Sequence, residues 1–201
     1  MTPARPGPAQ ASTLFQALLG AAFFRLPPAV RRLHSVRGRA RHAGRVTVER
    51  GTHPLARLCA RIAHLPPAMH DAPLVVEFDA APLEETWRRA FDDAPMASRL
   101  RLHDGLLQER LGALRLRFHV YLHDDALHWR VAGVRAFGVL PLPRAWFEHL
   151  YCSEREVDGR YAFEVAAVLP LAGLVVRYHG WLAPEGEVDA PAAAGDAAHG
   201  R

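Results

Sequence analysis

Leu114, Leu116, Phe118, Val120 and Leu122 alternate without a fault with Arg115, Arg117, His119, Tyr121 and His123. Period-2 alternation over ten residues is the mark of a strand with one dry face and one wet face, and no helix can use it. The segments around it are cut to similar length by Asp104-Gly105, Asp124-Asp125 and Asp158-Gly159, residue pairs that fit two-residue hairpin turns. Strands are expected at 74–78, 98–102, 106–110, 127–131, 134–139, 152–157, 161–168 and 174–182. Residues 84–91 read as strand or short helix, and Leu140-Pro141-Leu142-Pro143 ends the pair before it, with a short helical turn around Trp146 and Phe147. Consecutive short strands joined by tight turns predict an antiparallel meander, which curls as it twists into a half-open or closed barrel.

Two helical patterns precede the strands. Phe15, Leu18, Leu19, Ala22, Phe23 and Leu26 recur at helical spacing behind a Ser12 or Thr13 cap, and Pro27-Pro28 stops the run. Leu55, Leu58, Cys59, Ile62 and Leu65 repeat the pattern from Pro54 to Pro66-Pro67. Between them, Val46 and Val48 with Gly44 read as a small hairpin over 37–49. The fold class is therefore α+β: a curved antiparallel sheet covered by two N-terminal helices. Residues 12–182 form one domain. Residues 1–11 and 183–201, rich in Ala, Gly and Pro, bury too little apolar surface to order and read as disordered tails.

Composition narrows the chemistry. All 25 basic residues are Arg, with no Lys or Asn and a single Ile, the usage of a GC-rich genome, so the net charge of +4 is weak evidence for nucleic acid. The run Arg31, Arg32, Arg37, Arg39, Arg41, Arg45 and Arg50 makes a local basic patch without the interleaved aromatics of a nucleic-acid binder. The absence of Lys excludes a Schiff base and a P-loop lysine. None of the four serines lies in a Gly-x-Ser-x-Gly motif, and no Gly-x-Gly-x-x-Gly follows a strand. Cys59 and Cys152 have neither metal spacing nor a CxxC, and Cys59 reads as a small hydrophobe on a helix face. His119 and His123 share a strand face about 13 Å apart, too far for one zinc ion. No metal, cofactor or catalytic residue is assigned. No apolar run reaches transmembrane length, and the stretch 14–24 lacks a cleavage signal, which places the chain in the cytoplasm.

Candidate binding residues are the large aromatics and the charges beside turns. Trp87, Tyr121, Tyr178 and Trp181 are wall candidates for an apolar pocket, and Arg88, Arg110 or Arg160 would hold a polar end. Glu109 and His119 complete the set. Glu77 and Asp79 share a strand face and could act as an acid and base only by converging with Glu109 or a histidine.

Several fragments together carry a resemblance: Phe15 to Leu19 with Leu26-Pro27-Pro28, Arg50-Gly51 with Pro54-Leu55-Ala56-Arg57, Glu85-Thr86-Trp87-Arg88-Arg89 with Phe91, Glu109-Arg110 with Gly112, Asp158-Gly159-Arg160 with Phe163, and Pro170-Leu171 with Gly173-Leu174-Val175, Tyr178 and Gly180. The run resembles the bacterial family called domain of unknown function 4166, over about residues 14–182. Some of its members are similar to C-terminal partners of a nucleotide-binding domain related to saccharopine dehydrogenase, which implies an oxidoreductase partner protein. The leading expectation is a non-catalytic binding protein for a hydrophobic or lipid-like small molecule. An accessory domain docking on an oxidoreductase is the alternative, and an acid/base enzyme the second.

Overall fold

The computed structural model describes residues 11–186. Eleven strands form a single antiparallel sheet in the order β6-β5-β4-β3-β2-β1-β11-β10-β9-β7-β8. They are β1 (Gly38–Arg50), β2 (Met69–Ala81), β3 (Glu84–Phe91), β4 (Ala94–His103), β5 (Leu106–Leu111), β6 (Leu114–His123), β7 (Ala126–Ala136), β8 (Leu140–Leu142), β9 (His149–Val157), β10 (Arg160–Leu169) and β11 (Gly173–Pro184). Pairing of β6 with β7 closes the sheet on itself. Because β8 attaches only to β7, it stands outside the ring, leaving a closed barrel of ten strands. The expected antiparallel curved sheet is present, in its closed form.

Local chemistry accounts for the turns. Asp104-Gly105 and Asp158-Gly159 have both residues at positive φ, as does Asp124-Asp125, the geometry whose twist matches paired strands. The alternating strand β6 turns Leu116 and Phe118 inward and leaves His119 and Tyr121 exposed, so its oily face lines the barrel. Apolar inside and charged outside is the reverse of a barrel that faces lipid hydrocarbon.

Four expectations are corrected. The first helix is not continuous: α1 (Leu14–Leu19) gives way to a 3-10 turn (Gly20–Arg25) and then α2 (Pro28–Leu33). Gly20 adopts φ 56°, ψ −129°, a conformation only glycine visits readily, and the redirected chain brings Phe23 into the core. The second helix, α3 (Pro54–Ile62), is capped by the His53 ring, which accepts from the Leu55 amide at 3.2 Å, and ends before Leu65. The hairpin over 37–49 is absent, because β1 runs through Gly44 unbroken. Residues 127–139 hold one strand rather than two, with a bulge where Arg117 and Phe118 face Gly133 and Val131. The expected tails at 1–10 and 187–201 lie outside the described residues.

The helices therefore do not blanket a sheet; they stop the two ends of a tube. At one end, Thr13 caps α1 through a reciprocal pair, its hydroxyl accepting from the Gln16 amide at 3.3 Å and the Gln16 Oε1 accepting from the Thr13 amide at 2.9 Å. The same hydroxyl donates to the His34 carbonyl at 3.0 Å, tying the start of α1 to the end of α2. Leu14, Phe15, Val30 and Leu33 are buried in the barrel core. At the other end, the Ala113 amide of the β5–β6 turn donates to the Ile62 carbonyl, and Arg50 donates to the carbonyls of Leu65 and Val175 at 3.2 Å each, fixing the exit of α3.

Candidate functional site

Side chains do not fill the whole interior of the barrel. Toward the α1–α2 end, Phe15, His34, Trp87 and Trp129 form an aromatic cluster, with Phe15 3.7 Å from the His34 ring and 5.9 Å from Trp129 by centroid. Phe78 meets Trp87 edge-on at 5.2 Å and Phe118 meets Trp129 at 5.6 Å. Between this cluster and α3 lies a cavity of about 150 Å3, walled chiefly by aliphatic and aromatic side chains and roofed by Cys59 and Ala63. One seam in the wall is weak. β7 pairs with β9 only from Leu127 to Arg130, after which it turns to β8, and the gap is covered by the 3-10 turn Arg144–Phe147 with Phe147 buried against the cavity.

A few polar groups converge inside. On β3, Glu85, Trp87 and Arg89 share the inward face: the Trp87 indole donates to Glu85 at 2.8 Å, and the Arg89 guanidinium lies 4.9 Å from the Trp87 ring centre while donating to Ser98 Oγ at 2.9 Å. Glu109, Cys152, Glu154, Tyr161 and Tyr178 border the same cavity. His34 and Glu154, both fully buried, are joined at 2.5 Å between Nε2 and Oε2. Two further buried atoms, His34 Nδ1 and Trp129 Nε1, have no hydrogen-bond partner among the described residues.

Burial sets the protonation of these groups. It pushes the Cys152 thiol well above its ordinary value, with Glu154 and Glu109 adding to the effect, so Cys152 stays protonated and is a poor nucleophile. Burial raises the Tyr161 and Tyr178 phenols as well, and they remain neutral donors. Glu85 is raised by burial too, although His34 and the Trp87 indole oppose the shift. The chamber thus offers one guanidinium, two carboxyl groups and neutral hydroxyls within an apolar wall.

Of the residues singled out in the sequence, Trp87, Glu109 and Tyr178 come together on this wall. Arg88 and Arg110 are exposed on the opposite faces of β3 and β5, and His119 and Tyr121 are exposed on the outside of β6. Arg160 stacks over Trp181 at 4.5 Å, and neither borders the cavity. Glu77 and Asp79 likewise lie away from the cavity and from Glu109, so the acid/base set does not converge. Part of the basic patch is consumed in pairing, Arg45 with Asp71 and Arg41 with Glu185. Both cysteines are free. Residue type and spacing alone do not single out Arg89, Cys152, Glu154 or His34 for this site. For Arg89 the signal was available: once Trp87 is placed inside, period-2 alternation selects Arg89 and rejects Arg88.

A closed antiparallel β-barrel with an apolar chamber is the class of protein that this geometry defines. The chain belongs to the family described as domain of unknown function (DUF4166), whose sequence model matches residues 26–182. No curated protein matches it. Among solved structures it is similar to the crystal structure of Rv2717c from M. tuberculosis, at 16% identity and a TM-score of 0.41, covering 80% of this chain and 99% of that one. No helix among the described residues is long and apolar enough to cross a membrane.

Proposed function

We propose that the chain is a non-catalytic binding protein for a small hydrophobic molecule held inside the barrel. The observation that carries this reading is the cavity itself, an apolar chamber into which Arg89, Glu109 and Tyr178 project. Apolar walls with a few placed polar groups are the usual make-up of a ligand site. A dry cavity of roughly 150 Å3 accepts a group the size of benzene. A longer ligand requires α3 or the Phe147 turn to yield.

The polar groups also restrict the head of the ligand. Arg89 offers a donor, but Glu109 and Glu154 border the same space and repel a full negative charge. A hydroxyl or amide end, which accepts from Arg89 and donates to a carboxylate, suits both. Neutral Tyr178 and protonated Cys152 add no nucleophile, which favours holding over transformation.

Native mass spectrometry of the purified chain, with solvent extraction of whatever it carries, tests the reading. The expected result is a reproducible small-molecule adduct, weakened about tenfold or more by Arg89→Met, since a hydrogen bond to a charged group is worth about 1.5–3 kcal/mol. A chain that stays empty and takes up no long-chain alcohol or amide offered to it would overturn the reading.

A further inference from the structure

The outer wall of the barrel carries a second concavity whose chemistry is unlike that of the chamber. It lies across β4, β5, β6 and the β7–β8 arm, and Arg101, Arg115, Arg117, Arg135 and Arg144 line it. None of these five forms an ion pair with an acidic side chain among the described residues. Arg101 is held by Gln108 at 3.1 Å, which orients a guanidinium without neutralising it. His103, at the rim, sits 3.3 Å from Asp104, and no carboxylate borders the groove itself. Elsewhere on the barrel Arg99 is paired with Glu84 and Arg177 with Glu49. Five uncompensated guanidinium groups in one groove constitute a site for negative charge.

The same arm projects apolar side chains into solvent: Phe137 is 69% exposed, Val139 75% and Leu140 55%, and Trp146, on the 3-10 turn that follows the arm, is 48% exposed. The tip of the arm adjoins the groove, because the Arg115 guanidinium reaches to within 3.7 Å of where a Cβ on Gly138 would stand. The Phe137 amide bonds to the Ala113 carbonyl, and Ala113 bonds to Ile62, so the tip lies at the α3 end of the barrel, where Leu58 on α3 is also exposed.

We propose that the β7–β8 arm and its arginine groove dock on the surface of an anionic lipid bilayer. Phe137, Val139 and Leu140 enter the boundary between head groups and acyl chains, Trp146 sits at that boundary, and the arginines take lipid phosphates. A nucleic acid would satisfy the arginines equally, but its phosphate backbone has no place for three exposed aliphatic and aromatic side chains at the rim. The surface is outside the barrel, so an empty chamber leaves the proposal standing.

Flotation of the full chain with phosphatidylcholine vesicles, with and without phosphatidylglycerol, tests it at low and high salt. Binding is expected only with phosphatidylglycerol, is lost at high salt, and brings Trp146 within reach of lipids brominated on their chains, a quenching that W146F abolishes. Each arginine near such a surface strengthens binding by about fivefold, so Arg115→Gln with Arg135→Gln weakens it by roughly twenty-five-fold. Val139→Asp, at an exposed turn, weakens it without touching the core and serves as the second variant. Equal binding to both vesicle types, unchanged binding of both variants, or retention of duplex DNA or polyglutamate in place of vesicles overturns the proposal.

Discussion

His34 and Glu154 show how much a single buried pair can decide. Neither has access to solvent, and the two meet at 2.5 Å in the aromatic half of the barrel. Removing one partner strands the other in an apolar setting, a loss of about 3–5 kcal/mol, whereas replacing both with apolar groups costs much less. His34→Phe keeps the ring that Phe15 packs against, so the double variant with Glu154→Leu is expected to be more stable than either single variant. Denaturant unfolding of the four chains checks this. Glu85 supplies a pH signature. Burial raises its folded pKa, so the folded chain retains a proton that the unfolded chain has released. Its contribution is intact below the usual carboxylate range and falls as pH rises through the folded value. Glu85→Gln, whose carbonyl can still accept from Trp87, is therefore expected to flatten the fall in melting temperature between acidic and neutral pH. An unchanged slope would show that Glu85 does not titrate in this window.

At the level of elements, the strands were legible where side chains alternate and the turns where Asp-Gly or Asp-Asp supplies positive φ. Both are local signals. Gly44 is ambiguous in sequence for a physical reason: glycine serves tight turns and close backbone approaches alike, and only the partner strand distinguishes them. In the fold, a Cβ on Gly44 would stand 1.8 Å from the Trp181 carbonyl oxygen, and one on Gly180 would stand 2.2 Å from the Arg45 carbonyl oxygen. These two glycines let β1 and β11 press together where the barrel joins its first strand to its last. Gly180→Ala is expected to cost about 3 kcal/mol, the upper range of overpacking, and to be read as a lowered denaturation midpoint. The break at Gly20 was hidden likewise, because the apolar spacing of residues 15–26 satisfies a helix until the core position of Phe23 is known. The candidate site was half legible. Residue types point to Trp87, Glu109 and Tyr178 but do not favour Arg89 over its neighbour Arg88, and Glu154 and His34 become partners only through a contact 120 residues apart.

For the whole molecule, closure converts a meander into a container. The β6–β7 and β1–β11 pairings complete the ring, the first across a tight turn and the second across most of the chain. A container can be filled deliberately. Ala167, on the cavity wall, has room in front of it, and Ala167→Phe is expected to abolish uptake of an apolar ligand with little change in melting temperature, as seen by titration with a fluorescent long-chain alcohol. If the substituted chain binds as well as the parent, the ligand occupies some other surface. Closure also bears on how the protein behaves in a crowd. An open sheet presents two strand edges ready to recruit another copy, but here the outermost strand is β8, three residues long, with Pro141 at its centre and Pro143 just beyond. Proline offers no amide hydrogen to a newcomer. The sheet therefore ends in a strand too short and too poor in donors to serve as a template, and copies of this chain have little edge on which to grow a fibre.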